Sequence, residues 1–227
     1  MISSAIIVQG KMKEYQNLIF KILGFSKKEI VVASSNNGKL VEFETFFKPF
    51  GIKLIPQRDL GIDDIEETGK TYIENAILKA RNASKLSGLP AIADDSGLSV
   101  DFLNGQPGIF SARFSGPDCS DSKNRALLLR QLRGVPYKQR KAKYHAMIVL
   151  LQHHQDPCPL ISEGSWQGVI AEEEKGKLGF GYDSIFITPE LKCHAAEIEI
   201  TEKEKYSHRG QALKKLSKIL SNLNVDA

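Results

Sequence analysis

A polar hexapeptide, Ser34-Ser35-Asn36-Asn37-Gly38-Lys39, lies between the apolar run Ile30 to Ala33 and residues with helical apolar spacing, Leu40, Phe43, Phe47 and Phe50. This order predicts a strand, a glycine loop and a helix. The first free backbone N–H groups of such a helix, its positive dipole end and the Lys39 ammonium suit a phosphate chain. The spacing is not that of a Walker loop, and an ordinary strand-to-helix turn has the same residue types. Asp94-Asp95 follow the apolar Ala91 to Ala93, and Glu66-Glu67 form a second acidic source. Carboxylate oxygens are the donors hard divalent cations take, and Mg2+ completes its octahedron with phosphates and waters. The same residues also suit a capped turn and a solvated acidic loop.

Two further segments bear on recognition. Glycines flank Phe180 in Gly176 to Asp183, so backbone can approach a ligand closely while the ring offers a flat face on which a nucleobase stacks. A glycine hairpin with Phe180 in the core is the alternative. Lys203 and Ser207-His208-Arg209-Gly210 open the last helix. Helix N-termini favour negative charge, so cationic groups there call for a functional explanation, which an anionic or carbonyl-bearing ligand would supply.

The elements around these residues read as alternating strands and helices. Gly51 to Ile55 predicts a second strand, and Thr71-Tyr72-Ile73-Glu74 matches a capping box for a helix ending at Gly88. A strand at Ala91 to Ala93 is expected to break at Asp94 to Gly97 and resume from Leu98 to Phe102. A helix is expected from Asp121 to Arg133, then strands at Tyr144–Leu151, Leu160–Trp166 and Val169–Ala171, and a final helix over Arg209 to Leu223. Residues 1–29, with an amphipathic pattern at Tyr15, Leu18, Ile19, Ile22 and Leu23, read as an N-terminal extension to a domain spanning 30–227.

Composition narrows the function classes. Of the net charge of +4 over 227 residues, most lies in the lysine-rich first 29, so the remainder is near neutral, which argues against a nucleic-acid partner. No apolar run approaches the roughly 18 residues a membrane span needs, and no membrane partner is expected. Three scattered cysteines form neither a disulfide frame nor a zinc pattern, which fits a reducing cytoplasm.

Taken in order, the segments SSNNGK, EETGKTYIENAILKA, IADDSGLSVDFLNGQPGIFSARFSG, GFGYDSIF and SHRGQAL resemble the signature blocks of the inosine/xanthosine triphosphate pyrophosphatase family, from about Ile30 to the last helix. The resemblance implies an α/β fold, a long twisted mixed sheet flanked by helices with a cleft between two lobes. It also implies a homodimer that uses Mg2+ to hydrolyse ITP, dITP and XTP to the monophosphate and pyrophosphate. By position, Ser34, Ser35, Asn36, Asn37, Gly38 and Lys39 match the phosphate loop, Glu66 and Asp95 the metal-linked carboxylates, and Asp95 the general base. Ser96, Phe180, Gly181, Tyr182, Asp183, Lys203, His208 and Arg209 match the nucleotide contacts. The Lys-Asn usual before the Ser-His-Arg triplet is Lys203-Glu204 here, which makes Lys205 a rival of Lys203. The alternatives are a pyrophosphatase of the same fold for modified pyrimidine or methylated nucleotides, and a non-hydrolytic nucleotide-binding module.

Overall fold

The computed structural model describes residues 28–222, so the amphipathic pattern at Tyr15 to Leu23 lies outside the described residues. Six strands form one mixed sheet in the order β2-β1-β3-β4-β5-β6. They are β1 (Glu29–Val32), β2 (Lys53–Pro56), β3 (Ala91–Val100), β4 (Lys141–Leu151), β5 (Leu160–Ile170) and β6 (Phe186–Ile187). β1 pairs in parallel with β2 and β3, whereas β3, β4, β5 and β6 pair antiparallel. The helices are α1 (Asn37–Phe47), α2 (Tyr72–Ser87), α3 (Asp121–Gln131), a single turn α4 (Ile200–Lys203) and α5 (His208–Asn222).

Strand alternation divides the core. Ile30, Val32, Ile92 and Ile148 face one side, where they meet Leu40, Phe43 and Phe47 of α1 and Ala212, Leu213, Leu216 and Leu220 of α5. Val31, Ala91, Ala93 and Val149 face the other, where Ala76, Ala80 and Ala83 bring α2 close. The far halves of β3, β4 and β5 carry a separate core of Leu98, Val100, Tyr144 and Trp166, with Leu128 of α3 and Phe186. The long strands thus pass through both lobes, and the predicted capping box of α2 is present, with Thr71 accepting from the Glu74 N–H and Gly88 ending the helix at φ +68°.

Two expected breaks are absent. Asp94 to Gly97 lie inside β3, because β4 pairs with them residue for residue from Asp94↔Ile148 to Gly97↔His145. The strands expected at Leu160–Trp166 and Val169–Ala171 are likewise one, β5, which ends at Ile170, with Gln167 and Gly168 paired to Lys143 and Ala142. A side chain at position 168 would strike the Phe186 ring, so this glycine marks close packing rather than a turn.

The register opens the cleft. β1 and β3 pair at Val31↔Ala91 and Val32↔Ile92, after which the chain turns away into the loop before α1. From Asp94 to Gly97 the β1-side edge of β3 therefore has no strand partner among the described residues, until residues 105–111 bond to Leu98 and Val100, and this gap lies at the carboxyl end of β1 where open α/β sheets take ligands.

Candidate active site

The loop after β1 is held from several directions. The Asn36 side chain caps α1 by accepting from the Lys39 N–H at 3.1 Å, and Ser34 Oγ accepts from the Asn36 N–H at 3.2 Å. Ser35 Oγ donates to Asp64 at 2.5 Å, and Gln57 donates to the other oxygen of that carboxylate. Arg58 donates to Asn37 Oδ1 at 2.9 Å. The segment 57–64 thus braces the loop that the sequence marks for phosphate.

Asp94 and Asp95 point to opposite faces of β3. Asp94 is buried among cations: Lys39 Nζ lies 3.0 Å away, and Arg209 Nε and Nη2 donate at 3.0 and 2.8 Å. Burial raises its pKa, but Arg209 and Lys39 outweigh that and hold the carboxyl well below the usual range. Arg209 also pairs with Glu42 of α1 at 2.7 Å and donates to Ser96 Oγ at 3.0 Å. These buried carboxylates account for the cation at the start of α5, where an anionic or carbonyl-bearing ligand was expected. Burial pushes the Lys39 ammonium down, against the pull of Asp94.

Asp95 faces α2. Its Oδ1 meets Lys79 Nζ at 2.9 Å, its Oδ2 accepts from Asn75 Nδ2 at 3.3 Å, and Lys79 reaches on to Glu67 at 2.7 Å. Burial, aided by the Glu67 charge, raises the Asp95 pKa despite Lys79. Arg113 clasps the other Glu67 oxygen at 2.6 Å. Lys39 and Lys79 converge from the two faces on the backbone carbonyl of Asp94, at 3.3 and 3.0 Å.

Across the cleft, Lys203 Nζ lies 2.6 Å from Asp183 Oδ2, which also accepts from the Phe180 N–H at 2.9 Å. The Phe180 ring stands 5.4 Å from the Lys203 ammonium and 5.7 Å from the Arg209 guanidinium, and packs so closely on Gly38 that a methyl there would strike it. His208 stacks on Tyr144 with ring centroids 4.6 Å apart, and its Nδ1 is buried without a partner among the described residues. Burial, then the Arg209 charge, keeps the imidazole neutral far below its ordinary pKa.

One cavity of about 660 Å³ joins these segments, within the range of small-molecule sites. Of the expected residues, Ser34, Ser35, Asn36, Lys39, Glu66, Ser96, Phe180, Gly181, Tyr182, Asp183, Lys203, His208 and Arg209 line it. Asn37 faces Arg58 instead, Gly38 backs Phe180, and Asp95 stands behind Lys79. Lys203 rather than Lys205 reaches the cleft, since Lys205 is exposed and pairs with Glu202. Lys79, Glu67, Arg113 and Asp64 also line the wall. The sequence names Glu67 only as part of the acidic pair Glu66-Glu67 and gives Lys79, Arg113 and Asp64 no role, although Asn75 and Lys79, four apart on a capped helix, share one face. Among the described residues no group of three or more His, Cys, Asp or Glu side chains forms a ready metal cage.

A mixed sheet opened at the end of a parallel strand, with an amide-and-lysine loop and an aromatic ring meeting over one cleft, defines an α/β protein with a nucleotide-sized site. The chain belongs to the Ham1 family, whose model matches residues 30–219. It is 53% identical over 195 residues to the dITP/XTP pyrophosphatase of Shigella flexneri, covering 86% of this chain and 99% of that one. It is 54% identical over 187 residues to the enzyme of the same name from Haemophilus influenzae, covering 82% and 96%. Among solved structures, a HAM1 protein from Coxiella burnetii superposes with a TM-score of 0.79 at 47% identity, over 86% of this chain and 98% of that one. The dITP/XTP pyrophosphatase of Mycobacterium abscessus gives 0.66 at 40% identity, over 83% and 98%.

Proposed function

We propose that this protein is a nucleoside-triphosphate pyrophosphatase that hydrolyses ITP, dITP and XTP to the monophosphate and pyrophosphate, removing deaminated purines from the nucleotide pool. The observation that carries this reading is the convergence of the Ser34–Lys39 loop, the Phe180 to Asp183 platform and Glu66 on one cleft, with the Asp95 carboxylate directly behind the Lys79 ammonium that lines it. The loop amides and Lys39 hold the phosphate chain, and Phe180 stacks on the purine. Asp95 takes the proton of the water that attacks the α-phosphorus, and the bond to the β-phosphate breaks to release pyrophosphate. Burial raises the basicity of Asp95 for that task.

The residues present fit a divalent cation. A cationic group, the Lys79 ammonium, already bridges Asp95 and Glu67, and the five cationic side chains on the wall face five carboxylates there, with Asp94 and Asp95 behind. A triphosphate entering so balanced a cleft brings charge that the side chains alone do not neutralise. Asp95 and Glu66 are the proposed Mg2+ ligands, and the ion would supply Lewis-acid charge neutralisation. A cytoplasmic homodimer completes the proposal: the three cysteines are unpaired, and Phe102 and Phe110 stand exposed for a second copy.

Selectivity follows from polarity at purine position six. Inosine and xanthosine carry an acceptor there, which meets a donor from His208 or a neighbouring N–H, whereas the adenine amino group faces donor against donor. Each frustrated contact costs about 1–3 kcal/mol. The test is a Mg2+-dependent assay of ITP, dITP, XTP, GTP and ATP with the products identified. Monophosphate plus pyrophosphate from the first three, with kcat/KM about a hundredfold or more above ATP, is expected. Equal use of ATP, preference for modified pyrimidine nucleotides added to the panel, or binding without turnover overturns the reading.

A further inference from the structure

We propose that Asp121 and Arg125 form a clip that positions the base-stacking loop, an inference that rests on the nucleotide reading above. The loop 176–183 must hold the Phe180 ring, yet Gly179 and Gly181 on either side of it have φ of +74° and +62°. Glycines in this region resist bending least; Asp183 holds the Phe180 N–H, but a grip on Gly181 has to come from outside the loop. It comes from α3. The Gly181 N–H donates to Asp121 Oδ2 at 2.7 Å, and the Gly181 carbonyl accepts from Arg125 Nη1 at 2.8 Å.

Residues 121 and 125 are four apart, so they present neighbouring side chains on one face of the helix and grip Gly181 by both its donor and its acceptor. Arg125 Nε also donates to Glu174 at 2.8 Å, and the same Glu174 oxygen accepts from Ser184 Oγ at 2.9 Å. One arginine therefore ties the tip of the loop to both its ends. The helix that carries the clip is itself fixed, by buried Leu128 and by Asn124, which donates to the Ser111 and Ala112 carbonyls and accepts from the Ser115 N–H. Among the described residues the hydrogen bonds of Asp121 and Arg125 run to the Phe180 loop and Glu174 and none to the Ser34–Lys39 loop, so they act on the site through Gly181 and the Phe180 ring.

The test uses the full chain with Asp121→Ala, Arg125→Ala and the conservative Asp121→Asn, whose amide oxygen still accepts from Gly181. In ligand-free protein, amide exchange across residues 176–183 is expected to speed up by about tenfold in both alanine variants and to stay at the wild-type rate in the asparagine variant. In turnover of ITP, KM and the inhibition constant of the product IMP rise together by about tenfold, while kcat and the inhibition constant of pyrophosphate stay within about twofold. Wild-type loop exchange in the alanine variants, or equal weakening toward IMP and pyrophosphate, overturns the clip. If the wild-type protein releases no pyrophosphate from ITP, the functional reading fails instead, and the exchange measurement still decides the clip.

Discussion

Asp94 and Asp95 are chain neighbours with the same side chain, and β3 sends them into opposite environments. Asp94 meets Lys39, Arg209 and Ser96, is fully screened from solvent by α1 and α5, and is held ionised. Asp95 meets Lys79 and Asn75 of α2, and burial raises its pKa. The difference teaches that one carboxylate serves as the buried counter-charge between α1, β3 and α5, while the other keeps the raised basicity that the proposed reaction would use. Period-two alternation alone separates the two roles.

The sharpest way to break this comparison is to remove each carboxylate in turn. Asp94→Ala leaves Arg209, about 1% exposed, and the nearby Lys39 without their shared counter-charge, although Glu42 remains beside Arg209. Stripping one partner from a buried pair costs about 3–5 kcal/mol, so urea unfolding should show a loss of that size. Asp95→Asn removes a charge that burial already disfavours, and Lys79 keeps Glu67. Its unfolding midpoint should stay within the equivalent of about 1 kcal/mol, while kcat for ITP falls by about a hundredfold or more. Equal destabilisation by the two changes, or near-native turnover of Asp95→Asn with Mg2+ saturating, would remove the distinction.

The local half of this arrangement is legible in the chain. The Ser34 to Lys39 turn, the Thr71 to Glu74 cap and the apolar stripe of α5 each rest on residues within a few positions of one another, where spacing carries the information. Asp94 to Gly97 looked like a loop because four polar or small residues interrupt an apolar run. β4, some fifty residues on, completes the strand, and Arg209, 115 positions away, neutralises the carboxylate. No local pattern announces such partners. The Ser-His-Arg segment shows the same limit from the other side: its cation against the helix dipole called for a ligand, and Glu42 and Asp94 of the protein itself answer it. Lys79 went unread because its importance lies in two carboxylates, Glu67 and Asp95, that approach from different loops and strands.

A smaller effect sharpens the rigid side of the comparison. His208 belongs to the Asp94 face, where burial first and then the Arg209 charge hold its pKa far below the ordinary 6.5. Below about pH 6.5 the unfolded chain takes up a proton that the folded chain refuses, so the folded state loses stability as pH falls from there toward the depressed value. The loss approaches about 1.4 kcal/mol per pH unit for one histidine. Asp94 is held ionised through this window, and Lys39, Lys203 and Arg209 are the other charges that act on the ring. His145 is also depressed by burial and adds a slope of the same sign, but it is unchanged in a His208 variant. His208→Asn should therefore show a constant offset from the lost stack on Tyr144 and a shallower fall in the urea midpoint between pH 7.5 and 5.5. Parallel pH curves for the two proteins would mean that His208 is charged in the fold, and the Asp94 side would then be less closed to protons than its burial implies.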